Sequence, residues 1–283
     1  MVTVYLIKKG DKGFMFYWLL GFFLALVLLI FYLLAPRRKV VDFQPFLNWD
    51  YAHRGLHDNA SPAPENSLFA IQLAVEKGYG IEFDIRLSKD GQLVVFHDAN
   101  LKRTSGISKN IEDLTYEELL GYRLFTSQEG VPLLSQVLSE VAGRVPLIVE
   151  LKSESMEVAD LCQRTIAELD AYEGLFMVES FNPLVVAYFR KHRPNYIRGQ
   201  LSGNLGGKRG IYYSAVRHLL SNVLARPDFV AYDHRYQGNL SLRLMKSVFG
   251  IPLVCYTVKM PEEYEKNKDL FDLQIFEGFD IKK

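Results

Sequence analysis

The sequence predicts an α/β protein, a TIM-type (β/α)8 barrel preceded by one N-terminal transmembrane helix. Three observations carry this. Beyond about Asn48, short apolar strands alternate with amphipathic helices, the pattern of a parallel sheet with helical crossovers. The strands number close to eight, which suits a closed barrel, with a doubly wound open sheet as the alternative. Ahead of them runs one long uncharged segment, Phe14 to Ala35. Composition agrees: 49% hydrophobic and 23% charged residues in 283 exclude a disordered chain. Basic and acidic residues number 33 each, which argues against a nucleic-acid partner. Two cysteines, Cys162 and Cys255, make neither a disulfide framework nor a zinc site. No protein partner is legible.

Residues 1–13 form a short tail. The apolar run over 14–35 contains one glycine and no charge; as a helix it reaches about 33 Å, enough for a bilayer core of about 30 Å. A cleaved signal peptide would have a shorter apolar core and small residues at the cut, where Leu33 stands. The chain therefore reads as a single-pass membrane protein touching membrane lipid through this helix. Lys8, Lys9 and Lys12 precede the span, and Arg37, Arg38 and Lys39 follow it, so the positive-inside rule assigns neither side. Residues 36–47 read as a solvated linker.

Residues 48–283 form the barrel. Strands are expected at Tyr51–His53, Gly80–Leu87, Leu93–His97, Pro146–Leu151, Leu175–Ser180, Ile197–Leu201, Phe229–Asp233, Leu253–Thr257 and Leu273–Phe276. Each is a short apolar run, and helices fall between most of them. These are Ser67–Lys77, Leu133–Val141, Met156–Asp170, Pro183–Lys191, Ser214–Ala225 and Leu240–Phe249. An insertion at about 98–130 carries a T-x-x-E capping pattern at Thr115 and Glu118 and is expected over the active face. The chain stops soon after the last strand, so a final barrel helix is short or missing. No G-x-G-x-x-G opens a helix, so nothing supports a dinucleotide site.

Charged residues interrupt two of these apolar strands. In Ile81-Glu82-Phe83-Asp84-Ile85, alternation sends Glu82 and Asp84 to one face, about 7 Å apart along the strand. Glu150 and Lys152 repeat the device. Like charges on an inner face are costly unless a cation neutralises them, and three carboxylates suit one hard divalent ion, Mg²⁺ or Ca²⁺. A solvated or salt-bridged edge strand is the plainer reading of either pair alone. His53 and His97 each end a strand; one can take a proton while the other gives one. Arg54, before the turn-permitting Gly55, and Lys152 bring positive charge to the same mouth and would clamp a phosphate. A surface ion pair for Arg54 and a Glu150 partner for Lys152 are the plainer readings.

Taken together these residues resemble the glycerophosphodiester phosphodiesterase family. The pattern runs His53-Arg54-Gly55, Glu65-Asn66-Ser67, Glu82-x-Asp84, Lys89-Asp90-Gly91 and Val94-Val95-Phe96-His97-Asp98. Arg103-Thr104, Val131-Pro132-x-Leu134, Glu150-Leu151-Lys152 and Ser180-Phe181-Asn182 follow in the family's order. The resemblance implies a hydrolase cleaving glycerophosphodiesters to glycerol 3-phosphate and an alcohol. It implies that Glu82, Asp84 and Glu150 hold the metal, that His53 and His97 are the acid–base pair, and that Arg54 and Lys152 hold the phosphate. The implied route is attack by the glycerol 2-hydroxyl to give a cyclic phosphate, which water then opens.

Supporting positions are less sharply defined. Glu65 reads either as active-site support or as part of a helix start capped by Asn66 or Ser67. Asp98 either orients His97 or ends the strand. Ser180, Gln200 and Tyr256 are placed along the mouth. His57, His192, His218 and His234 read as structural or exposed. The last third departs from the family at Tyr256-Thr257-Val258-Lys259 and around Glu277, which could favour a cationic alcohol group or pair with Lys259. A more distant resemblance to phosphatidylinositol-specific phospholipase C and sphingomyelinase D keeps lysophospholipids and glycerol-phosphate polymers as alternative substrates. A non-catalytic barrel binding a lipid head group is the remaining alternative.

Overall fold

The computed structural model describes residues 7–37 and 41–281. Nine strands occur among them: β1 (Tyr51–His53), β2 (Gly80–Leu87), β3 (Leu93–Val95), β4 (Leu147–Leu151), β5 (Phe176–Ser180), β6 (Arg198–Ser202), β7 (Phe229–Asp233), β8 (Leu253–Val258) and β9 (Leu273–Phe276). Eight pair in parallel in the order β1-β9-β8-β7-β6-β5-β4-β2, and β1 pairs β2 to close the barrel. β3 is not a barrel stave. It turns back antiparallel on β2 through the Lys89–Gly91 turn. The open-sheet alternative is thereby excluded.

The helices are α1 (Ile7–Leu34), α2 (Gln44–Leu47), α3 (Leu68–Glu76), α4 (Lys102–Ser105), α5 (Tyr116–Leu119), α6 (Leu134–Val141), α7 (Ala159–Leu169), α8 (Pro183–His192), α9 (Ile211–Arg217), α10 (Asn222–Ala225), α11 (Leu240–Ser247) and α12 (Pro261–Asn267). Local chemistry sets several starts. The Ser67 hydroxyl accepts from Ala70 N at α3, and Asn182 accepts from Leu184 N ahead of Pro183 at α8. The Thr115–Glu118 capping box forms at α5.

Four expectations change. The helix expected over 214–225 breaks into α9 and α10 at Leu219, which takes a left-handed φ of 59°. The helix expected from Met156 begins only at Ala159. α12 was not expected, although Pro261 and the acidic Glu262 and Glu263 mark its first turn. The linker expected over 36–47 is not solvated throughout its described residues. Phe43 and Phe46 are buried in the barrel's lower interior with Tyr51, Phe229, Val254 and Ile275, and α2 forms a floor across the N-terminal ends of the strands. Four residues were too few for a periodic signal. After β9 the described residues contain no helix.

The outer core lies between the staves and the α3, α6, α7, α8 and α11 layer. The insertion has its own small core around Phe96, Leu101, Ile111, Leu119 and Leu124. α1 contains an uncharged stretch, Phe14–Leu34, of mean hydropathy 2.6. Arg38, Lys39 and the side chains of Lys8, Lys9 and Lys12 lie outside the described residues.

Candidate active site

Strand register gathers the carboxylates. Asp84 lies opposite Glu150, and Glu150 opposite Glu179, so one row crosses β2, β4 and β5 on the inner face. Glu82 pairs with His53 on β1. All four carboxylates are buried, although each interrupts an apolar strand. Oxygen atoms of Glu82, Asp84 and Glu150 come within 4.8 Å of one another. Glu179 is the functional-site neighbour that sequence reasoning missed. The signal was available in Met177-Val178-Glu179, the same charged interruption that singled out Glu82 and Glu150.

The two cations reach into this row. Lys152 Nζ lies 2.9 Å from Asp84 Oδ1 and 2.7 Å from Glu150 Oε1, and 5.9 Å from the centre of the Phe181 ring. Arg54 Nε lies 3.2 Å from Asp84 Oδ2. Arg54 takes a left-handed φ of 57°, and its N–H donates to the Glu82 carbonyl at 2.7 Å. Gly55 follows at φ 80°, where an added Cβ would sit 2.7 Å from the Ala70 backbone carbon. Only glycine allows the first βα loop to press against α3 there.

Glu65 does not cap α3, whose cap is Ser67; its carboxylate turns toward Arg54 and the insertion. It accepts from Arg54 Nη1 at 2.5 Å, from both terminal nitrogens of Arg103 at 2.7 Å, and from Asn59 Nδ2 at 2.8 Å. Its carboxyl is held down at about 2: burial opposes this, but the bonds to Arg103 and the charge of Arg54 prevail. Asn66 likewise is not the cap. Its Nδ2 donates to Asp84 Oδ2 at 2.9 Å, fixing that carboxylate from the other side.

Both histidines commit Nδ1 to a carboxylate and leave Nε2 for other business. His97 Nδ1 lies 2.6 Å from Asp98, whose second oxygen accepts from Arg103 Nε at 2.7 Å. The insertion thus supplies Arg103, which joins Asp98 to Glu65. His53 Nδ1 bonds Glu277, which also pairs with Lys259. His57, expected as structural or exposed, sits beside this pair: its Nε2 lies 3.6 Å from Glu277 and its ring 6.4 Å from that of His53. The first strand's loop and the last strand's end meet only because β1 pairs with β9. Burial, reinforced by Arg54, lowers the His53 imidazole to about 4 against the pull of Glu277.

Of the remaining expected residues, Tyr256 stands at the mouth. Its hydroxyl donates to the Ser202 carbonyl at 2.5 Å and its ring meets Phe181 edge-on at 6.0 Å. Ser180 and Gln200 turn to backbone instead. Ser180 donates to the Leu151 carbonyl at 2.7 Å, and Gln200 Nε2 donates to the carbonyls of Ser180, Phe181 and Leu201. They hold strand ends together. His192 ends α8, His218 follows α9 and His234 follows β7.

Four carboxylates facing Arg54 and Lys152 leave two formal negative charges in a buried row. The consequence is visible in the acidities. Burial and the charges of Asp84, Glu150 and Glu179 push Glu82 well up, and burial pushes Glu150 and Glu179 up too. Burial would raise Asp84 as well, but Lys152 and Arg54 hold it well below the usual carboxylate range. Crowded oxygens short of positive charge fit one hard divalent cation, and the donor set contains no sulfur or nitrogen that would favour a softer metal.

The fold and this geometry define a class: a (β/α)8 barrel with an acidic, oxygen-donor pocket and two carboxylate-bonded histidines at the C-terminal mouth. Within it, the chain belongs to the glycerophosphoryl diester phosphodiesterase family, which it matches over residues 53–273. A glycerophosphodiester phosphodiesterase of Bacillus altitudinis is 33% identical over 156 residues, covering 51% of this chain and 62% of that one. A lysophospholipase D of Rattus norvegicus is 35% identical over 147 residues, 47% of this chain and 44% of that protein. The chain therefore spans less than two thirds of the length of either relative. Among solved structures, an Oleispira antarctica phosphodiesterase in complex with the product sn-glycerol 3-phosphate superposes with a TM-score of 0.66 at 20% identity, covering 81% of this chain and 92% of that one. A Parabacteroides distasonis glycerophosphodiester phosphodiesterase gives 0.65 at 24% over the same shares. These likenesses establish the shared fold.

Proposed function

We propose that this protein is a membrane-anchored phosphodiesterase that hydrolyses glycerophosphodiesters to glycerol 3-phosphate and an alcohol. The observation that carries the reading is the approach of Glu82, Asp84 and Glu150 to within 4.8 Å beside His53, Arg54 and Lys152. Glu82, Asp84 and Glu150 would hold one Mg²⁺ or Ca²⁺, which when bound supplies positive charge against the phosphoryl oxygens. Arg54 and Lys152 bind those oxygens and orient the diester. One of His53 and His97 takes the proton of the glycerol 2-hydroxyl as it attacks phosphorus, and the other protonates the departing alkoxide. With the roles reversed, water opens the resulting cyclic phosphate. Asp98 and Glu277 keep each imidazole's Nδ1 occupied, so the exchange runs through Nε2. Glu65 positions Arg54. Membership of the family and the name of the Bacillus altitudinis relative support the substrate class.

The name of the rat relative favours a second substrate, a lysophospholipid. The anchor rests on the 21-residue apolar stretch Phe14–Leu34, none of it buried against the barrel over its most hydrophobic window. Assaying the full chain on glycerophosphocholine, with Mg²⁺, Ca²⁺ or chelator, tests the main reading. Glycerol 3-phosphate release that the chelator abolishes is expected; full release in chelator overturns the metal's part, and no release with either ion overturns the activity.

A further inference from the structure

The end of the apolar helix is bolted to the barrel. Leu34 is 1% exposed, and its carbonyl accepts from Asn222 Nδ2 at 3.1 Å. Arg226 Nη1 donates to the carbonyl of Tyr32 in the helix's last turn at 2.9 Å and to that of Ala35 just past its end at 2.7 Å, and its guanidinium lies 4.8 Å from the Tyr32 ring centre. The Phe31 ring lies 6.0 Å from Phe249. Beyond the helix, Arg37 N donates to the Pro227 carbonyl and its side chain pairs with Asp228. A chain merely tethered to its span would make none of these contacts.

Length then fixes how deep the barrel sits. Every residue from Phe14 to Leu26 is exposed, and cover by the barrel begins at Val27. The free part would be a helix of about 20 Å, too short for a bilayer core of about 30 Å. Ahead of Phe14 stand Lys8, Lys9, Asp11 and Lys12, so the span cannot be lengthened in that direction without burying charge. The apolar thickness must therefore include the turns docked on the barrel, about 10 Å of helix from Val27 to Leu34. The rim against which those turns pack has to enter the interface with them. That rim shows Leu224, 50% exposed, two residues before Arg226, and Val248, 53% exposed, beside Phe249. Aliphatic side chains left open next to the anchor's foot would gain by entering the acyl boundary, and Arg190, whose Nη1 donates to the Leu224 carbonyl at 3.0 Å, brings a cation to the same edge.

We infer that the barrel is seated in the membrane by its α10–α11 rim, the occupant of that surface being the interfacial layer of the bilayer that holds α1. The seat lies at the N-terminal pole: Arg226 comes three residues before β7, and Phe249 four before β8. The carboxylate row and both histidines lie at the opposite pole. The mouth opens away from the anchoring bilayer and draws water-soluble, deacylated diesters, not lipids embedded beneath it. This rests on the proposed anchor and deepens the proposed substrate class.

The test uses the full chain in phosphatidylcholine–phosphatidylglycerol vesicles, with single cysteines carrying a polarity-sensitive fluorophore and lipids bearing a quencher near the headgroup or deeper in the chain. Cys162 and Cys255 are buried and stay unlabelled. Leu24→Cys reports the span, Leu224→Cys and Val248→Cys the rim, and Ile211→Cys, 92% exposed on the mouth side, the opposite pole. The rim labels are expected to lose about half their emission to the shallow quencher, the span label to the deep one, and the mouth label to neither. Adding Arg226→Ala should reduce rim quenching and leave the span label unchanged. A quenched span label with unquenched rim labels overturns the seat alone. Quenching at Ile211 overturns the orientation. An unquenched span label overturns the proposed anchor and the seat with it.

Discussion

Changing Glu65 to Gln removes the charge on which Arg54 and Arg103 converge while keeping the shape. The cost can be worked from the site. The carboxyl falls from its ordinary 4.5 to about 2 in the folded protein, a shift worth about 3 kcal/mol by linkage. The side chain is 6% exposed, so solvent screening takes little of this, although Arg103 is itself partly open. Because the folded value is the lower one, the stabilisation is fully present above about pH 4.5 and fades as pH falls through about 2. The variant should therefore unfold about 3 kcal/mol more readily at pH 7, with the gap narrowing to about 1 kcal/mol at pH 3. Urea unfolding of both chains in detergent micelles, followed by tryptophan emission, measures it. A gap of the same size at both pH values would refute the electrostatic account and leave only a packing defect.

Other expectations follow from the same geometry. Asp84→Asn, in contact with Arg54, Lys152 and Asn66, should weaken Mg²⁺ or Ca²⁺ binding by about tenfold or more, read by calorimetry, and binding at the wild-type level would remove Asp84 from the ligand set. His53→Ala and His97→Ala should each lower turnover by about 10² to 10⁴-fold on a choline ester, yet only the variant lacking the general acid should recover on a nitrophenyl ester; equal recovery of both contradicts divided roles. Glu179→Gln removes a buried carboxylate with an unpartnered Oε2, so in chelator the variant should melt at or above the wild-type temperature, and a clear loss would show that its charge is needed for folding. Ser67→Ala deletes the α3 cap and should cost about 1 kcal/mol in the same unfolding assay without changing the metal response.

Much of this protein is written locally. Alternation in Ile81–Ile85 put Glu82 and Asp84 on one face, and the pattern of short apolar runs gave the limits of β1, β2, β7 and β9 as they stand. Local signals of this kind need only neighbours, because a strand's two faces are set by its own pleat. The same rule would have found Glu179, two residues after a buried methionine, had the carboxylate been weighed and not the serine beside it. What no window could disclose is where separate segments meet. His53 and Glu277 are 224 positions apart and touch because β1 closes onto β9. Arg103 reaches Glu65 because the insertion folds back over the first βα loop. Phe43 and Phe46 read as ordinary linker residues until the barrel leaves its lower end open and apolar. Sequence by itself determined the staves, the acidic residues and the apolar span. Tertiary structure decided which charges share one pocket, what floors the barrel and where the helix docks, since burial and proximity arise only once the ring of strands is complete.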